Sequence, residues 1–221
     1  MKKSSSSIGN VVILLAVSLV LCSCTPTSAV KTVTETPKPV YSAPVQDETS
    51  SAEAKYNALL GAAAVANEDW DTAVGFLETS VKKAPAHEKA QYQEMLGMAY
   101  AGRGTERVNN GRLSSGISDL EHSLTLLKDR EILIQCRDRL GLAYGKRGIT
   151  NAEENSFSRS SIDSGIMDLE TGIRYVQNPE MKTKFSQALA LFYAVRAEEK
   201  RVSGDQIGAL QDVLAGLKSL Q

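Results

Sequence analysis

Histidine and cysteine are scarce in this chain, two and three in 221 residues. Metal sites and nucleophilic constellations need several such side chains brought together, so there is little material for either. Aromatic residues make up only 5%, and the charges nearly cancel, 25 Lys and Arg against 26 Asp and Glu. No Lys/Arg block stands out, which argues against a nucleic-acid partner, because phosphate backbones are met by concentrated basic charge. Also lacking is an apolar run of the roughly 20 residues that cross a bilayer as a helix. What is present is 42% apolar residues, enough to fill a core. The expectation is a folded, non-enzymatic protein of one or two domains with no cofactor, no metal and no nucleic acid.

Lys2 and Lys3 precede an apolar stretch, Val11 to Leu21, that only Ser18 interrupts. A positive start followed by a short apolar run has the layout of a cleaved signal peptide, here residues 1–23. The following Leu21-Cys22-Ser23-Cys24 resembles the lipobox of bacterial lipoproteins, with Leu three residues before a Cys and a small residue directly before it. Cys24 is the matching cysteine, since Cys22 follows the bulky Leu21. An ordinary secretory signal with two incidental cysteines is the alternative. The resemblance implies that Cys24 becomes the lipidated N-terminus in the bacterial cell envelope. Thr25, in place of an Asp, implies the outer membrane, facing the periplasm. Several acyl chains, at ~0.8 kcal/mol per buried methylene, would make such an anchor effectively permanent. Loss of residues 1–23 removes two lysines and no acid, so the mature chain carries 23 basic and 26 acidic residues, a net charge of −3. Cys136 is then the one thiol left free.

Residues 24–51 contain Pro26, Pro37, Pro39 and Pro44, four of the six prolines, among many Ser and Thr. This composition predicts a disordered tether with a root-mean-square span on the order of 28 Å. A helical domain is expected over 52–221, because from there the sequence repeats itself. Leu60-Gly61, Leu96-Gly97-Met98-Ala99-Tyr100, Leu140-Gly141-Leu142-Ala143-Tyr144 and Leu189-Ala190-Leu191-Phe192-Tyr193 form one series. AVGFLETSV from Ala73, GISDLEHSL from Gly116, GIMDLETGI from Gly165 and ALQDVLAGL from Ala209 form the second. Pro85 and Pro179 close the first and third units.

These motifs resemble the tetratricopeptide repeat family. The resemblance implies an all-α, right-handed solenoid of about four helix pairs, over residues 54–87, 88–130, 131–179 and 180–221. Small residues on helix A and helix B would let the two backbones approach. The first unit keeps the family's length. The others carry insertions of 7, 12 and 7 residues, counted between the small residues of the two series. Seven residues are close to two helical turns, so longer helices are expected there. The serine-rich insert NAEENSFSRSSIDS of the third unit leaves helix and loop both open.

Five features are candidates for function. Cys136 invites a redox or metal reading, but the positions equivalent to it hold Tyr56, Tyr92 and Phe185, which predicts a core filler. His87 and His122 have no ligand cluster around them. Arg103, Arg147 and Arg196 each fall three residues after the repeat Tyr and form a ladder; it would either meet an anionic ligand or pair with Asp119, Asp168 and Asp212 at matched positions. In the tetratricopeptide family, helix A lines a partner groove, and the matching positions here are Gln91, Glu94, Met98, Gln135, Asp138, Leu142, Lys184, Gln187 and Leu191. Glu94 and Asp138 disfavour the family's carboxylate clamp, so an amphipathic or extended protein segment with basic residues fits better. Finally, Leu210, Leu214 and Leu217 place an apolar face on the last helix, a docking surface for a protein partner or for a homodimer through the C-terminal helix. The functional expectation is an envelope adaptor for protein–protein interactions in assembly of a complex. The alternative is a small-ligand carrier associated with a solute transporter.

The lipobox resemblance generates the first test. Cys24→Ala is expected to abolish incorporation of a palmitate analogue in growing bacterial cells, and unchanged labelling would remove the lipid anchor.

Overall fold

The computed structural model describes residues 45–221; the signal peptide, Cys24 and most of the tether assigned above lie outside the described residues. The described chain is all-helical: α1 (Val45–Ala66), α2 (Trp70–Lys83), α3 (Ala86–Asn109), α4 (Leu113–Leu126), α5 (Arg130–Glu154), α6 (Arg159–Tyr175), α7 (Pro179–Val202) and α8 (Gln206–Ser219). Residues 45–51, expected to belong to the tether, are instead the first turns of α1. No Pro or Gly interrupts the sequence between Pro44 and Gly61, and Ser51 Oγ donates to Glu88 Oε1 of α3 at 2.9 Å, which gives those turns a packing partner.

Long and short helices alternate. The A helices α3, α5 and α7 have 24, 25 and 24 residues, and the B helices α4, α6 and α8 have 14, 17 and 14. The extra residues therefore enter as helical turns. The serine-rich insert resolves in the same way, since α5 runs to Glu154 and α6 resumes at Arg159. Local chemistry punctuates the helices. Asp69, Asp129, Asn178 and Asp205 cap the N-termini of α2, α5, α7 and α8 by accepting backbone N–H bonds, and Pro179 opens α7. Two A-to-B turns use glycine in the left-handed region, Gly111 (φ 78°) and Gly204 (φ 91°). Each B-to-A connection begins with an extended residue, Ala84, Leu127 or Val176, whose N–H reaches back four residues.

The chain divides between Leu96 and Gly97, within α3, into two compact units. In the first, Ala54 and Ala58 of α1 and Tyr92 of α3 form a buried cluster with Val81, Ala84 and Met95, and buried Ser80 donates to the Ala54 carbonyl at 2.8 Å. In the second, two clusters follow each other. Ile117, Leu120 and Leu127 of the second pair bury Cys136 and Leu140 of the third, and Ile162, Ile166, Leu169 and Val176 of the third bury Phe185, Leu189 and Phe192 of the fourth. Side chains fit by size across these junctions. Gly145 makes room for the ring of Phe185, whereas the equivalent Ala101 lies in the cluster of the smaller Cys136.

Within a pair, the helices touch through backbone. A Cβ on Gly141 would lie 2.6 Å from Val176 N and 2.8 Å from Gly172 O. A Cβ on Gly104 would meet Gly116 O at 2.9 Å, and one on Gly148 would meet Gly165 O at 2.9 Å. Gly104 and Gly148 stand seven residues after Gly97 and Gly141, so the inserted turns carry a second point of close approach. Gly97 differs, since the atoms nearest to a Cβ there belong to the side chains of Leu126 and Leu127, at 3.1 Å.

Two glycine substitutions are expected to act in opposite directions. Gly141→Ala must push backbone apart and should cost about 1–3 kcal/mol even though Ala favours a helix. Gly75→Ala, where a Cβ meets nothing within 4 Å, should stabilise α2 by about 0.5–1 kcal/mol. Thermal melts of the two variants check the pairing.

Candidate functional site

Helical spacing puts Tyr100 and Arg103, Tyr144 and Arg147, and Tyr193 and Arg196 one turn apart, and each guanidinium lies over its own tyrosine ring, 5.2, 5.1 and 5.3 Å from the centroid. From there each arginine forks onto one carboxylate of its partner helix. Arg103 Nε and Nη2 donate to Asp119 at 2.9 and 2.8 Å, Arg147 to Asp168 at 2.8 and 2.7 Å, and Arg196 to Asp212 at 2.9 and 2.7 Å. The hydrogen bonds that Arg147 and Arg196 donate to Asp168 and Asp212 push both guanidinium groups above the ordinary arginine value. The arginine ladder is thus engaged inside each pair and is not an open row of cations for an anionic ligand.

A second rung ties neighbouring pairs. Tyr144 donates its hydroxyl to Glu121, and Tyr193 donates to Glu170 at 2.7 Å. Burial, reinforced by these carboxylates, pushes both hydroxyls up to about 12. In the Asp-Leu-Glu of α4 and α6, then, the Asp binds its own pair and the Glu binds the next. The glutamates were not singled out from the sequence, although their recurrence two residues after the Asp was visible; in α8 the same place is Leu214.

The rungs differ in one respect that opens a groove. At Arg196, Nη1 reaches Asp163 of the preceding pair at 2.7 Å, and Lys200 joins Asp212 at 2.8 Å. At Arg147 the equivalent positions are Ser114 and Asn151. One carboxylate and one cation are absent together, and among the described residues Arg147 Nη1 has no hydrogen-bond partner. Arg147, Ser114, Thr150, Asn151, Glu154 and Asp168 line a groove of about 570 Å³ there, and exposed Ser114, Glu154 and Met167 make it a surface trough.

The candidate partner groove divides by environment. Gln91, Gln135, Lys184, Gln187 and Leu191 are exposed; Glu94 is half-buried. Met98 and Leu142, also half-buried, pack against the core clusters rather than standing open. Asp138 is engaged structurally: it accepts the backbone N–H groups of Gln177 and Asn178 at 2.7 and 3.3 Å and so holds the turn into α7. Lys184 pairs with Glu180 one turn back at 2.7 Å. On α7 the exposed Leu191 and Val195 continue the stripe of Lys184 and Gln187.

Cys136 is buried against Ser123 Oγ, 2.7 Å from its sulfur, and burial raises its thiol above the ordinary value, so it is a core residue. Tyr56, at the equivalent position, is not: it is 64% exposed, because among the described residues no helix pair precedes α1 to cover it. His122 stacks on Tyr100 and His87 is exposed beside Glu88. Among the described residues no three His, Cys, Asp or Glu side chains come together as a metal set, and no helix is long and apolar enough to cross a membrane. Leu210, Leu214 and Leu217 of α8 stand 61, 59 and 58% exposed. No family model matches the chain, and no curated protein or solved structure matches it.

Asp212 supplies a pH test. Its burial pushes the carboxyl upward, but the hydrogen bonds and charges of Arg196 and Lys200 outweigh this and hold it below its ordinary value. A depressed folded pKa contributes stability that is complete above the unfolded value, near 3.9, and is lost as the pH falls below it. Asp212→Asn should therefore lower stability at pH 7 by about 1.5–3 kcal/mol and flatten the fall in melting temperature below about pH 4. A variant with the wild-type acid profile would mean that other carboxylates carry it.

Proposed function

We propose that this chain is a lipid-anchored adaptor of the bacterial cell envelope, a tetratricopeptide-like solenoid that binds other proteins during assembly of an envelope complex. In this reading residues 1–23 are a signal peptide, Cys24 carries the lipid, and the stretch up to α1 lets the helical domain stand off the outer membrane in the periplasm. The protein is a scaffold and not an enzyme.

What supports the reading is how the side chains are distributed. The charged and hydroxyl groups that recur in register are engaged in holding the pairs together, while apolar side chains stand exposed at mid-helix. Leu191 carries the argument: it is 59% exposed in the middle of a 24-residue helix, with Val195, Gln187 and Lys184 along the same stripe. An apolar anchor within a polar rim is the composition of a protein contact. A second reading, a small-ligand carrier working with a solute transporter, draws on the trough at Arg147, whose volume lies in the range of small-molecule sites.

A photocrosslinking residue placed at position 191 in living cells tests the adaptor. The expected result is a discrete adduct with a different protein, lost when Val195→Glu adds a charge beside it. Absence of any such adduct would return the question to the carrier, which binding of small solutes at the trough would then support.

A further inference from the structure

Within each compact unit, a helix B and the helix A that follows it join in one way. Helix B presents two apolar residues, and helix A of the next pair lays its own across them: Val81 on Tyr92, Ile117 and Leu124 beside Cys136, Ile166 and Ile173 beside Phe185. α8 and α1 carry the two halves of one more junction of this kind, and no described residue covers either half. Leu210 and Leu217 hold the places of Ile166 and Ile173, while Tyr56 and Leu59 hold those of Phe185 and Ala188. All four are about 60% exposed.

The two faces depart from the internal junctions in matched ways. Inside, Tyr193 donates to Glu170; at the same positions α1 has Ala64 and α8 has Leu214, so donor and acceptor are both replaced by apolar groups. Inside, Arg174 and Lys182 line one groove as like charges; the corresponding residues are Lys218 on α8 and Glu53 on α1, which are opposite charges. Glu53 is half-exposed beside Lys83 and accessible to a second cation. Six exposed apolar side chains, Ile207, Leu210, Val213, Leu214 and Leu217 on one side of α8 and Leu220 at its C-cap, lie together. Together they present about 600 Å², at the upper end for a monomer's largest patch and close to the ~800 Å² that one partner contributes to a stable interface.

We infer that the α8 face of one chain docks on the α1 face of a second copy, head to tail, and extends the repeat register from molecule to molecule. The contact is heterologous. Each copy keeps one face of each kind free, so association continues beyond the dimer into a ring or a filament. This inference rests on the repeat register described above and is independent of which protein Leu191 contacts.

Complementation tests it with the full chain in mild detergent, followed by sedimentation up to about 100 μM, where a micromolar interface saturates. Wild-type chain is expected to form species larger than a dimer. Tyr56→Glu/Leu59→Glu removes one face and Leu210→Glu/Leu217→Glu the other; each double variant should weaken self-association at least about 100-fold, because carboxylates would be buried unpaired. Mixed together, the two variants should form a one-to-one heterodimer through the remaining intact faces, a result that also requires both to be folded. A monomeric wild type overturns the inference. So does an α1 variant that still dimerises by itself, which would assign the face to an α8–α8 contact, or a mixture that stays monomeric while each variant keeps the wild-type circular dichroism and melting temperature.

Discussion

The close approach of two backbones at paired small residues is the constraint on which the rest of this structure depends. Gly141 against Gly172, Gly148 against Gly165, and Gly104 against Gly116 leave no room for a Cβ. Contact at this distance fixes the relative height of the two helices of a pair, because each glycine is a notch for the facing chain. Arg103 and Arg147 directly precede Gly104 and Gly148, and Asp119 and Asp168 lie one turn after Gly116 and Gly165. The notch therefore brings guanidinium and carboxylate to bidentate range without either reaching for the other. Arg196 and Asp212 occupy the same offsets around Ala197 and Ala209, where small side chains replace the glycines.

Once the pairs are set, the ion pairs act mainly on specificity. Each aspartate is largely buried, and desolvation offsets much of the Coulomb gain, so the forks select one register more than they add stability. A shift of α6 by one residue would turn Asp168 away from Arg147 and leave both without a partner in a half-buried setting. Tyrosine completes the arrangement. Its ring supports the arginine of its own helix and its hydroxyl reaches the glutamate of the preceding pair, so a single side chain couples the geometry within a pair to the geometry between pairs.

This use of polar groups shapes the functional surface. The residues that promised chemistry are engaged in structure: Cys136 beside Ser123, the arginines on their aspartates, Asp138 on the turn before α7. Large apolar side chains, by contrast, stand exposed at Leu191 on a long helix and along α8. The rung at Arg147 relaxes the pattern seen at Arg196, since Ser114 and Asn151 stand in for an acid and a base, and the trough forms there.

Helix content, the number of pairs and the sites of the turns were legible in the sequence, because each is set locally. The repeat of small and apolar positions at helical spacing marks a face, and Asp69, Asp129, Asn178 and Asp205 mark helix starts wherever they lie in the fold. The added turns of α3 and α7 followed from the seven-residue arithmetic, whereas the twelve-residue insertion of the third unit left helix and loop both open. Other features carried no local mark. Residues 45–51 have tether-like neighbours yet are helical, and Ser51 at their end donates to Glu88, 37 residues away. Tyr56 and Phe185 occupy the same repeat position, yet one is exposed and the other buried, since among the described residues only Phe185 has a preceding pair to cover it. Asp138 read as a groove acid until tertiary packing placed the Gln177 amide against it. A repeated sequence determines the same local unit each time, whereas what each side chain does depends on the neighbour it meets, and only the folded chain supplies the neighbour.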